Sequence, residues 1–495
     1  MKRAKNFLIK TSLALAATTV MSGAVFAQSS VWFQEREFQR RPLEPNLANK
    51  MRGDFTAAFV GDMLIQEPFG KTLHPDLVKV LRDADVTIGN METIVYDHLN
   101  SKEPRGGGGN WTIKETAKDL ADLGFDLVSH ANNHGLDMGI QGTFDSMQHL
   151  SDAGIKAAGF GKNQADAGRA AYHHTPKGRV GLVGVYVISE VSGSPRMCAT
   201  DKFNNIGGTP GLNCLELVTW NVVNDEQFKA IKDIEAGIIA RREEVLPHAI
   251  NMPKLQPDRA HIFLNGRFKP GPKTGEYQYE AKKDDMQRLM TQVRQAKEYG
   301  DFVALVPHIH QNSTAFKSWG WDWDVLDIER EIAHGAIDNG ADVYSADGIH
   351  NFKGIEIYKG KHGNTGIIFY GLNKFSFHQI LPETEAGSFT REGEDPFNSA
   401  KTAIEVNEWD NERRNQARTL VGAIGEVKYR NGQPYEIRLH PMDLGMDLNR
   451  PWSRQGTPEK PTPENARKIL EQIQRESAKL GTKVTIENGI GIVRL

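Results

Sequence analysis

From residue 54 onward, short apolar runs alternate with segments whose apolar residues recur at helical spacing. The runs at 55–60, 86–88, 125–128 and 180–188 read as buried strands, and the segments at 75–83, 113–123 and 142–153 as helices laid over them. Residues 191–283 break that rhythm, because Gly, Pro, Asn and charge dominate, with one helical piece at 225–244. This stretch reads as a long irregular insertion, a candidate lid or substrate-selecting flap. The alternation resumes with a helix at 284–299, a strand at 302–306, a helix at 328–339 and a strand at 343–345. Runs at 355–358 and 367–370 look like a closing hairpin, and residues 427–439 pair two alternating runs across Asn431-Gly432. A helix at 463–480 and a strand at 483–486 follow. Stacked strand–helix units of this kind predict an α/β fold. The expected organisation is a core in two parts, 54–190 and 284–445, split by the insertion, with 446–495 as a hairpin-and-helix extension packing on it.

The first residues follow a different pattern. A basic start, Met1 to Lys5, precedes a largely apolar stretch at 7–21, and Val25-Phe26-Ala27 puts small residues where a signal peptidase cuts. Residues 1–27 therefore read as a cleavable signal peptide and 28–53 as a polar, extended lead-in, which predicts a periplasmic or secreted protein. The apolar part is short for a membrane span. The two cysteines, Cys198 and Cys214, flank a Gly/Pro/Asn-rich stretch, and an exported chain makes a disulfide between them reasonable. A length of 495 residues allows a sizeable core, and a net charge of −3 without a basic block argues against nucleic acid as a partner.

Chemistry gathers where the strands end. After the run at Phe125–Val128 come Ser129, His130, Asn132, Asn133, His134 and Asp137, on the loop leaving the strand. In open α/β sheets ligands bind at the carboxyl ends of strands. Asn133 offers a neutral oxygen, His134 an imidazole able to ligate or to carry a proton, and Asp137 a carboxylate to orient it. The same stretch could instead be an Asx-rich turn before a helix. The pattern recurs, however, with Asp62, Asn90 and Glu92, His308 and His310, and Asp347 and His350 at other strand ends. A lone His-x-His pair is more often a surface feature than a ligand pair, whereas five such groups are hard to assign to chance. Carboxylates, amide oxygens and imidazoles together suit a divalent ion such as Mn²⁺, Zn²⁺ or Fe²⁺.

These residues sit in stretches that resemble the CapA family of poly-γ-glutamate capsule-synthesis proteins, which share the fold of calcineurin-like metallophosphoesterases. The matching stretches are AAFVGDML (57–64), DADVTIGNMET (83–93), the ANNH segment with its LDMG tail, and GIKAAGFGKN (154–163). ALVPHIHQN (304–312), GADVYSADGIHNFKGIEIYKGK (340–361) and IIFYGLNKF (367–375) complete the set. The resemblance implies a layered α-β-β-α sandwich. It implies Asp62, Glu92, Asn133, His308 and His350 as metal ligands, with Asn90, His310 and Asp347 as further candidates, and His134 as the acid/base imidazole beside Asp137. An exported metal-dependent hydrolase or transferase is then expected, acting on an anionic polymer or a phosphoester, with other capsule-synthesis or export components as candidate partners. A non-catalytic binding or export component is the competing reading. The chain departs from the family pattern at Asp347, where a histidine is typical, and at Lys374, where a polar amide is typical. Arg241, Arg242, Lys269 and Lys273 in the insertion are candidates for reading an anionic substrate, although charged loops are usually only solvated.

Overall fold

Strand β1 (Asp54–Leu64) is apolar on both faces because it lies inside a sheet covered on both sides. Its Ala57 and Phe59 point into a core shared with a second sheet, and its Ala58 and Val60 point the other way, toward helices. The same period of two runs through the parallel strands β2 (Val86–Met91), β3 (Leu127–Ser129) and β4 (Lys156–Ala158). In the computed structural model the described residues are 49–97, 110–189, 193–201, 207–245, 261–263, 266–314, 322–378, 420–445, 450–451 and 454–495. The expected signal peptide at 1–27 lies outside them.

The second sheet is built on β5 (Gly178–Ile188), β6 (Cys214–Val223), β7 (Phe302–Ile309), β8 (Val343–Ser345), β9 (Ile355–Lys359) and β10 (Thr365–Phe369). Val180 and Leu182 of β5 and Phe302, Ala304 and Val306 of β7 face the first sheet. Val183, Val185, Val303 and Leu305 face the outer helices. The expected hairpin of β9 and β10 is antiparallel. Five later strands return to the first sheet, namely β11 (Lys374–Phe377), β12 (Val421–Arg430), β13 (Gln433–Asp443), the short Thr485–Glu487 and β14 (Ile490–Arg494), and β12 and β13 turn through Asn431 and Gly432 at positive φ.

Helices cover both outer faces. Leu77 and Leu81 of α1 (Pro75–Asp83), Leu120 of α2 (Glu115–Leu123) and Leu150 of α3 (Gly139–Asp152) pack on the first sheet. Helix α4 (Asp225–Val245) lies in the 191–283 stretch. Leu289 and Val293 of α5 (Lys283–Tyr299) and Ile332 and Ala336 of α6 (Asp327–Asp338) pack on the second sheet. Ile469, Leu470 and Ile473 of α7 (Pro463–Lys479) join the core between the sheets. The result is the expected α-β-β-α sandwich.

The 191–283 stretch is more regular than its composition predicts. It carries the expected helix, but also β6, which pairs parallel to β5 and extends the second sheet, and which farther along pairs with Gly266–Pro270 on one edge and Tyr277–Ala281 on the other. The β-branched and aromatic run in CLELVTWNVV makes this strand, and the Gly- and Pro-rich flanks mask it. Cys198 and Cys214 are disulfide-bonded, with Cα atoms 5.6 Å apart. Among the described residues no helix is long and apolar enough to cross a membrane.

Candidate metal centre

The period of two that builds the core also aims the polar side chains. His308 and His310 continue the face of β7 that carries Phe302, Ala304 and Val306, so both imidazoles reach the cleft between the sheets at the carboxyl end of the strand. Asn90 likewise follows Val86 and Ile88. Asp62 requires a different device. Simple alternation would send it after Ala58 and Val60 to the helix side, but the pairing with β2 shifts register between Phe59 and Asp62. Met63 then takes the helix side and Asp62 turns into the cleft. Gly61 permits the irregularity, because a Cβ there would sit 1.9 Å from the Asn373 carbonyl oxygen at the start of β11.

The donors converge in two sets that share Glu92. Glu92, His308 and His310 form one, and Asp62, Glu92 and His350 the other, with the donor atoms of each set within 4.8 Å of one another. Glu92 Oε1 is 3.6 Å from His308 Nε2, and Glu92 Oε2 is 3.8 Å from His350 Nε2. His350 Nε2 is also 3.4 Å from Asp62 Oδ2. His308 Nε2 and His310 Nε2 are 2.8 Å apart. One carboxylate thus faces both sets, one oxygen to each.

Bracing groups surround these donors. Asn90 Nδ2 donates to Asp62 Oδ1 at 2.8 Å and lies 3.0 Å from His308 Nδ1, while Asn90 Oδ1 accepts from Asn132 at 3.1 Å. Both ends of the Asn90 amide are therefore taken by protein partners. Asn132 Oδ1 accepts from the His134 backbone N–H at 3.1 Å, which fixes the turn carrying His134. The Gly348 N–H donates to Asp62 Oδ2 at 2.9 Å. Gly348 holds φ +100, and a Cβ there would crowd His308 Nε2 at 3.0 Å. His350 itself holds φ 59, a left-handed conformation uncommon for a side-chain-bearing residue.

His134 stands at the edge of the cluster. Its Nδ1 is 2.6 Å from Asp137 Oδ2, its Nε2 is 3.9 Å from Glu92 Oε1, and its side chain is 30% exposed. Asp137 Oδ2 also accepts from the Asn110 N–H at 2.7 Å. Asn133 lies between Asn132 and His134, and its Oδ1 is buried without a hydrogen bond. Asp347 follows β8 beside His308, outside both donor sets, with both carboxyl oxygens buried and unbonded. Of the insertion cations, Lys269 pairs with Glu280 at 2.9 Å and Lys273 with Glu276 at 3.6 Å, while the Arg242 side chain lies outside the described residues.

Burial dominates the electrostatics. It pushes the Asp62 carboxyl up to about 6 and holds Glu92 and Asp347 well above the usual range, the Asp62 charge adding to both. Burial lowers His308 and His350 and takes His310 to about 3. Lys374, in register with Asp62 on the neighbouring strand, is lowered to about 8 by burial against the pull of Asp62 and Glu92. Crowded carboxylates with unbonded oxygens at Glu92 and Asp347, beside neutral imidazoles, form a donor set that fits a divalent cation. Sequence reasoning named every donor of both sets. It missed Asn132 and the Gly61 irregularity as bracing features, and noted Lys374 only as a departure; the polar run at 129–134 was the available signal for Asn132.

The protein is thus an α-β-β-α sandwich that gathers carboxylates and imidazoles at the carboxyl ends of its parallel strands. The family model for the bacterial capsule synthesis protein PGA_cap matches residues 56–379, and the chain belongs to that family. It is 30% identical over 459 residues to the uncharacterized protein y4sH of Sinorhizobium fredii, covering 89% of this chain and 93% of the relative. It is 22% identical over 334 residues to the PGA biosynthesis protein CapA of Bacillus subtilis, covering 66% of this chain and 63% of the relative. The capsule biosynthesis protein CapA of Bacillus anthracis is 23% identical over 311 residues, covering 62% of this chain and 53% of that protein. A solved structure from Thermus thermophilus, described as a hypothetical protein, is 12% identical with a TM-score of 0.36, covering 79% of this chain and 99% of that one.

Proposed function

We propose that the chain is an exported, metal-dependent hydrolase or transferase of capsule synthesis, acting on an anionic polymer of the poly-γ-glutamate type or on a phosphoester. The observation that carries this reading is His134: a solvent-reachable imidazole, oriented by Asp137 at 2.6 Å, beside a buried cluster of metal-type donors. Asp62, Glu92, His308, His310 and His350 would hold a divalent ion, which would supply Lewis acidity and offset negative charge on the reacting group. Mn²⁺, Zn²⁺ and Fe²⁺ all suit this donor set. The contact with Asp137 places the His134 proton on Nδ1 and leaves Nε2 facing the cleft. There Nε2 is free to take a proton from the attacking group and to return it to the leaving group. Asn90 and the Gly348 N–H keep Asp62 turned toward the same point.

Lys374 favours a second reading, a receptor for an anionic polymer, because it brings a buried cation to the carboxylate side of the cleft. The deciding experiment incubates the mature chain with phosphoesters and with poly-γ-glutamate, each with Mn²⁺ or with EDTA. Metal-dependent turnover of either class supports the enzyme. Saturable polymer binding without turnover supports the receptor.

A further inference from the structure

A buried ion pair outside the donor sets has no part in the chemistry so far. Lys353 and Glu329 are each 1% exposed, and Lys353 Nζ lies 3.0 and 2.8 Å from the two Glu329 carboxyl oxygens. Glu329 Oε2 also accepts from the Leu326 N–H at 2.7 Å, which ties the pair to the start of α6. Buried pairs of this kind add little stability relative to an apolar pair of equal volume. Their use is geometric.

The geometry concerned is that of His350, three residues before Lys353. His350 keeps a left-handed backbone while its Nε2 stays 3.4 Å from Asp62 and 3.8 Å from Glu92. Between the two, Asn351 Nδ2 donates to the Asp322 carbonyl oxygen, and Phe352 is buried in the core between the sheets. The Asp322 carboxylate accepts from the Ser313 N–H, on the segment that follows His310. Segments leaving both sets of second-sheet imidazoles are thus fastened to the loop and helix at 322–329. We propose that the Lys353–Glu329 pair is a positioning device that holds His350 against Asp62 and Glu92. This rests on the metal-centre reading above.

The test measures Mn²⁺ affinity of the full mature chain by chelator competition, beside thermal unfolding of the metal-free protein. Two double variants are used: Lys353→Met with Glu329→Leu, and Lys353→Met with Glu329→Gln, whose amide still accepts from Leu326. The expected result is a folded variant with wild-type unfolding temperature and about 10- to 100-fold weaker Mn²⁺ binding. Adding His350→Ala to that variant should cost far less affinity than in the wild type, since the pair acts through His350. Wild-type Mn²⁺ affinity in a folded double variant, or an equal cost of His350→Ala in both backgrounds, overturns the proposal alone. Absence of Mn²⁺ binding by the wild type overturns the metal reading and the proposal together.

Discussion

The two sheets contribute different chemistry to the same cleft. The first supplies both donor-set carboxylates, Asp62 and Glu92, together with the bracing amides of Asn90 and Asn132. The second supplies the imidazoles His308, His310 and His350, kept neutral by burial. First-sheet donors are fixed by neighbours on adjacent strands of their own sheet, as when Asn90 holds Asp62. Asp62 is held from across the cleft as well, by the Gly348 N–H, while His350 of the second sheet depends on the Lys353–Glu329 pair beyond it. Charge therefore comes from one half of the sandwich and neutral nitrogen from the other. Neither half alone completes a donor set, so metal binding should report the stacking of the two sheets.

The largest effect expected on activity is at the edge of the first sheet. His134→Ala should leave metal content at the wild-type level and lower turnover by ~10²–10⁴-fold, the usual loss for a general acid or base. A parallel loss of metal would place His134 among the ligands. The disulfide tests the second sheet, because Cys214 opens β6. Replacing both cysteines by serine opens a loop of sequence separation 16 and should cost ~3 kcal/mol of unfolding free energy in the chain-entropy model. Denaturant titration measures it, and an unchanged midpoint would mean that the sheet pairing alone holds the loop. The smallest effect concerns pH. In the metal-free protein Asp62 is raised from 3.8 to about 6, so it binds a proton when folded that it lacks when unfolded, and its contribution falls as pH rises across that window. His310 is lowered from 6.5 to about 3, so its contribution rises with pH over that range. The two sheets oppose each other between pH 4 and 6. Asp62→Asn in EDTA should therefore steepen the rise of stability with pH there, by up to ~1.4 kcal/mol per pH unit. A slope matching the wild type would remove Asp62 as the opposing group.

Much of this architecture was legible in the residues. Short apolar runs mark β1, β2, β7 and β8, and their polar ends carry the donors directly, so Asp62, Glu92, His308 and His350 could be named without coordinates. The two cysteines, in a chain whose first residues read as a signal peptide, were enough to anticipate the bond between them. What escaped was whatever depends on contacts distant in sequence. The turn of Asp62 into the cleft needs Asn373 against Gly61, and the brace on His350 needs Glu329 beside Lys353. β6 was hidden for another reason, since turn-forming residues around it outweighed a short β-branched run. Asn90 reads as a ligand by residue type, but its role depends on which partners its amide meets, and those lie on three different strands and loops.

The central claim is that the cleft between the sheets binds a divalent ion through donors from both of them. Elemental analysis of the purified protein loaded with Mn²⁺, beside Asp62→Ala from the first sheet and His308→Ala from the second, tests it most directly. Bound metal in the wild type and its loss in both folded variants is the predicted result. Full metal occupancy in both variants, or none in the wild type, would contradict the account.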